Sequence, residues 1–309
     1  MRRIKKNLPA VLAVLALFLA QTGCTHNKDA VTLAQQMTVT ANELSSYYAA
    51  LAQCMNAELA VLELEHALNH EPLDATNVSR LQQTVIAFQQ RQQMAASLAR
   101  LASQLTTLSG STAPASVGSS VNSLAADMNA IQALPTPGGT SIPNAVGQSA
   151  QGMMQWWQTR RERDFAKSFA KTADALSSLF GTEKLAYDSM VDTYYREAAS
   201  VAVVLVKNGQ ISDGSLTAEL NPALKPFGLS AATMTAALRQ QLETATPDLL
   251  QFQATQMSLQ AQTASSALAS NLTTMSQEAD QLAAGKPLGK VAIPASLTPV
   301  DTWTKTVLP

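Results

Sequence analysis

"MTVTANELSSYYAALAQCMNAELAVL", residues 37–62, is the stretch on which the fold turns. Met37, Ala41, Leu44, Tyr48, Leu51, Met55, Leu59 (or Glu58) and Leu62 recur at intervals of three and four. At about 100° per residue such positions line one side of an α-helix. Sustained over three to four heptads, they form a coiled-coil-like seam. The pattern predicts a helix from about residue 29 to 69, ended by Glu71-Pro72, because the residue before proline is pushed out of the helical region.

The rest of the chain repeats this theme. A second helix is expected over about 75–108, capped by Asp74 or Thr76, with a stripe from Val78, Leu81, Val85 and Phe88 to Leu98, Leu101, Leu105 and Leu108. A third, about 115–134, puts Val117, Val121, Leu124, Met128 and Ile131 on one face. "PTPGGTSIP", residues 135–143, is a loop. A fourth helix covers about 144–180, and Gly181 either breaks it or lets it run on to Lys207. A last long helix covers about 230–284, with Pro247 expected to kink it. From Gly285 onward Pro287, Pro294, Pro299 and Pro309 predict an extended or loosely docked tail. "VAVVLV", residues 201–206, is β-branched, but it continues a helical pattern and a lone strand would lack a partner. The fold class expected is all-α: an elongated antiparallel helical bundle with coiled-coil-like long helices.

Composition agrees. Hydrophobic residues make up 46% of the 309 and charged residues 14%, enough apolar surface for a large core. Net charge is −1, and Arg2, Arg3, Lys5 and Lys6 supply four of the positive charges; without them the remainder stands near −5. A nucleic-acid binder carries a basic surplus, so no nucleic-acid partner is expected.

The start of the chain has its own logic. A basic segment over residues 1–7 precedes the apolar run "LPAVLAVLALFLA", residues 8–20. That run is about 13 residues, short of the roughly 20 that span a bilayer, and it matches a secretory signal. Thr22-Gly23-Cys24 follows and resembles a bacterial lipobox, although Gln21 stands where that family usually has Leu. The resemblance implies a signal peptide over 1–23 and a lipidated Cys24 carrying diacylglycerol and an N-acyl chain. A tether over 24–28, a helical domain over 29–284 and a Pro-containing tail over 285–309 then follow. Thr25, rather than Asp, after the cysteine resembles the outer-membrane default of Gram-negative lipoproteins, facing the periplasm. Cys54, the other cysteine, lies in the helical seam and reads as a packed residue.

Chemistry-bearing motifs are sparse. No Gly-rich phosphate loop, G-x-S-x-G or paired-cysteine metal signature occurs. Neither catalysis nor a cofactor is expected. Glu63, His66 and His70 share a helical face by spacing and form a candidate metal-ligand set, with Asp188 and Asp192 as conceivable extra oxygens. Glu-x-x-His resembles half of a ferritin-like di-metal site, but no second such motif exists. A second candidate is a contact surface in "MMQWWQTRRERDFAKSFAK", residues 153–171. Met153, Trp156, Arg160, Arg163, Lys167 and Lys171 gather away from an apolar face of Met154, Trp157, Phe165, Phe169, Leu176 and Leu179. Asp164 and Asp174 are placed to pair with Arg160 and Lys171.

Three functional classes follow. The first is a lipid-anchored envelope protein that binds the membrane through its anchor and another envelope protein or a cell-wall component. The second is a metal-binding envelope protein built on the Glu63 cluster. The third is a membrane-perturbing or pore-forming helical protein.

Overall fold

The computed structural model describes residues 8–106, 115–132, parts of 146–152, 162–207, 236–286, 288 and 297–308. Its helices are α1 (Leu8–Asn69), α2 (Ala75–Thr106), α3 (Ala115–Gln132), α4 (Glu162–Lys207), α5 (Ala236–Ala283) and α6 (Thr298–Val307). No strand occurs among the described residues, and the all-α bundle expected from periodicity is the fold found.

The seam of α1 is the centre of the core. Met37, Ala41, Leu44, Tyr48, Leu51 and Met55 are all at most 2% exposed, and Leu59 and Leu62 pack at its edge. His70 takes a left-handed φ of 57° and closes the helix, with the Glu71 N–H bonded back to the His66 carbonyl. The Asp74 side chain then accepts the Thr76 N–H at 2.9 Å and caps α2. The short turn between them makes α1 and α2 an antiparallel pair. All five apolar residues expected on one face of α3 are fully buried.

α4 runs unbroken through Gly181, where a Cβ would meet nothing within 4 Å, so the two segments separated by that glycine are one helix. Val201 is buried near its end, in helix rather than strand. α5 packs antiparallel along α4, and a ladder of polar bonds records the register. Ser276 bonds Asp174, Ser177 meets Thr273 at 3.4 Å, Ser265 donates to Asp188 at 2.7 Å, Ser258 donates to Asp192 at 2.8 Å and Gln251 reaches Ser200 at 3.5 Å. Each rung climbs one helix as it descends the other. α5 continues through Pro247 and ends at Gly285, whose φ of +71° suits a residue without Cβ. There the Lys286 and Gly285 N–H groups bond the Gln281 and Leu282 carbonyls, the pairing that satisfies a helix C-terminus.

The two hairpins, α1/α2 and α4/α5, meet through α1, with α4 parallel to it. At 1.5 Å per residue the 46- and 48-residue helices α4 and α5 extend roughly 70 Å, so the bundle is elongated.

Of the tail, expected to be extended or loosely docked, the described part beyond Leu297 is a helix with a buried face. Thr298–Val307 make a helix with Pro299 in its first turn, where a missing N–H costs nothing. Trp303 in it is fully buried. Its indole donates to the Tyr195 hydroxyl at 3.3 Å, and its ring lies 5.1 Å from that of Tyr47. The proline count marked a chain that turns; burial of one large aromatic is what docks it.

Candidate functional site

The polar chemistry of the core is arranged in tiers along α1 and α4. At the middle, Tyr47, Tyr48, Phe88, Phe180 and Tyr187 bring their rings together edge-on or tilted, with centroids 5.5–6.4 Å apart, and Arg91 of α2 is buried in the same tier. Arg91 and Glu183 are 0% and 1% exposed. The guanidinium meets the Glu183 carboxylate with two N–H groups, at 2.9 and 2.5 Å, and gives a third bond to the Ala87 carbonyl at 3.0 Å. The Tyr187 hydroxyl also donates to Glu183. Burial holds that hydroxyl well above the ordinary phenol range, so it stays protonated and remains a donor. This is a buried ion pair joining α2 to α4, and its bidentate geometry suits arginine.

The next tier holds Cys54, Tyr194, Tyr195 and Trp303. Burial pushes the Cys54 thiol up to about 12, with the Glu58 carboxylate adding to the effect. Such a thiol is a packed group rather than a nucleophile.

The end tier is acidic. Glu58 is 8% exposed in the seam of α1. Burial first, and the charge of Glu197 on α4 second, push it up to about 7, while Arg80 of α2 pulls the other way. Glu197 of α4 is likewise raised by burial and by Glu65, again opposed by Arg80. The Glu197 Oε2 is buried without a hydrogen-bond partner among the described residues.

The residues singled out by sequence fall elsewhere. Glu63 and His70 are exposed and His66 is half-buried, with its Nδ1 enclosed and unpaired. The left-handed turn at His70 takes it off the face that ideal helical spacing assigned it. Among the described residues no three His, Cys, Asp or Glu side chains gather as a metal-ligand group. Asp188 and Asp192 are engaged by Ser265 and Ser258, and by Lys184 and Arg196 at 2.6 and 2.9 Å. Of the contact surface, Met153, Trp156 and Arg160 lie outside the described residues, as does the Arg163 side chain. Lys167 and Lys171 are exposed one turn apart, opposite the buried Phe169, Leu176 and Leu179. Asp174 bonds Ser276 of α5. Cys24 lies within α1.

Sequence reasoning passed over Arg91 and Glu183, although the signal was present. Each interrupts an apolar stripe in phase: Phe88, Arg91, Ala95 on α2, and Phe180, Glu183, Tyr187 on α4. A charge inside a core stripe calls for its opposite on a neighbouring helix.

No protein-family model matches the chain, and no curated protein or solved structure matches it either.

Proposed function

We propose that the protein is a lipid-anchored helical rod of the bacterial cell envelope. Its role is to hold a binding surface away from the membrane, as a structural or interaction partner of another envelope protein or of the cell wall. The observation that supports this most is the continuity of α1: the same helix contains Cys24 and becomes the core seam. Leu33 is already 1% exposed, and the Asp29 carboxylate accepts the Leu288 N–H at 3.1 Å. An acylated Cys24 would therefore sit about five residues from the folded body, leaving little flexible linker. Residues 29–69 then reach about 60 Å outward if the axis stands upright. Two or three acyl chains, at about 0.8 kcal/mol per buried CH₂, anchor where one would not. No helix among the described residues is long and apolar enough to cross a membrane, which supports anchoring over insertion.

The test compares wild type with Cys24→Ser by intact mass and cell fractionation. Wild type should carry a lipid mass and sediment with membranes, and the variant should be unlipidated and released. Equal sedimentation without any lipid mass refutes the anchor. Crosslinking the native protein in cells, followed by its capture, should then recover one envelope component.

A further inference from the structure

We propose that the groove between α1 and α5 is a docking site for an amphipathic helix of a partner protein, and that α6 is its resident, displaceable occupant. The inference rests on the interaction reading above, whose partner's chemistry it names, and not on the lipid anchor. α6 lies against α1 and α5 and shows what the groove accepts. On its inner face Val300, Trp303 and Thr304 are buried, while Thr302, Lys305 and Thr306 on the outer side are exposed. The Trp303 ring lies 5.1 Å from that of Tyr47, and its indole donates to the Tyr195 hydroxyl at 3.3 Å on the groove floor. A short amphipathic helix held by one central indole is the form that helix-in-groove recognition takes between proteins.

The groove is longer than its resident. Leu297, just before α6, lines a cavity of about 220 Å³ together with Gln35, Gln36, Val39 and Thr40 of α1. Val39 is 56% exposed there, an apolar side chain left uncovered. Leu297 shares this cavity with Val39 while Trp303 meets Tyr47, so α6 runs parallel to α1 and leaves the groove beside Val39 unfilled. A partner helix with a tryptophan on Tyr47 and Tyr195, and a bulkier apolar residue where α6 has Leu297, fills the cavity and covers Val39. α6 does not make that contact, and displacement requires such a difference in affinity.

α6 is also built to leave. A helix of 10 residues is marginal on its own, so α6 is folded by its groove. Its tether starts at Leu288, whose N–H is held by the Asp29 carboxylate. The nine residues from there to Leu297 can extend about 30 Å. Along α1, the ten residues from Asp29 to Val39 cover only about 15 Å. That slack lets α6 come away without disturbing the end of α5.

The probe is a synthetic peptide of residues 297–309 carrying Leu297→Phe and a fluorophore at its C-terminus, titrated with the purified full-length protein. By anisotropy it should bind the Trp303→Ala protein, whose own tail has left the groove, about 100-fold more tightly than wild type, because apparent affinity scales with the fraction of empty grooves. The same peptide with Trp303→Ala should not bind. Val39→Asp, added to the Trp303→Ala protein, should weaken binding about fivefold by removing the apolar wall of the cavity. Hydrogen exchange on wild type reads displacement directly. Amides of residues 300–307 should exchange by a local opening, faster than those of the α1 seam, and excess peptide should speed them further. Should Trp303→Ala fail to fold, this exchange decides the matter. A peptide that binds neither protein, or α6 amides that exchange only with the whole bundle and ignore the peptide, overturn the proposal. The anchor is tested separately by Cys24→Ser, so either reading can fail alone.

Discussion

Replacing Arg91 by methionine should cost about 3–5 kcal/mol, because it removes one half of a buried ion pair and leaves the other half charged in the core. The structure leaves Glu183 no alternative. It is 1% exposed, its two oxygens are taken by the guanidinium, and its remaining contact is the Tyr187 hydroxyl. At about 2.1 cal/mol/K of unfolding entropy per residue, 1 kcal/mol shifts the melting temperature of a chain of this size by about 1.5 °C, so it should fall by about 5–8 °C. The double variant Arg91→Met, Glu183→Leu should recover most of the loss, because an apolar pair of similar volume carries no desolvation penalty. A residual deficit of about 1 kcal/mol is expected from Tyr187, which loses its acceptor. The assay is urea unfolding of wild type, both single variants and the double variant, read as a double-mutant cycle. A loss below about 1 kcal/mol in Arg91→Met, or a double variant no more stable than that single one, would refute the reasoning. Either result would mean that Glu183 reaches solvent or another cation.

Trp303→Ala should destabilise by about 3–5 kcal/mol in the same assay, since it empties a fully buried aromatic site and frees α6 from Tyr47 and Tyr195. An exposed-tail reading would give a change within about 0.5 kcal/mol. Cys54 should resist a thiol reagent at pH 8 in the native protein and react at once in urea, because burial raises and encloses its thiol; rapid native labelling would contradict its place in the core.

Much of the architecture is legible in residues 37–62 and in the stripes that follow. Helical period, apolar face and stop signals are local properties. The ends of α1, α2 and α3 accordingly fall within about two residues of where Pro72, Asp74 and the loop before residue 144 suggest, leaving aside the start of α1 in the leader segment. Among the described side chains of α1, α3 and α4, the buried faces are those the periodicity assigns. Even Glu58 shows in the pattern, as the charged alternative to Leu59 in the seam. Spacing misleads at His70, because a helical wheel presumes that the helix continues, and the backbone there turns left-handed.

Pairing between helices is a different kind of fact. Arg91 and Glu183 stand 92 residues apart, and Trp303 and Tyr195 stand 108 apart. Within one helix, periodicity states which face turns inward. It does not state which neighbour lies opposite, or at what height. That is decided when long helices slide into register and every buried polar group must find a partner or lose its charge. Arg91 and Glu183 found each other, and the tail helix found a slot for its tryptophan. Only the assembled bundle, with its low-dielectric interior, buries Glu58 and pushes its carboxyl up to about 7.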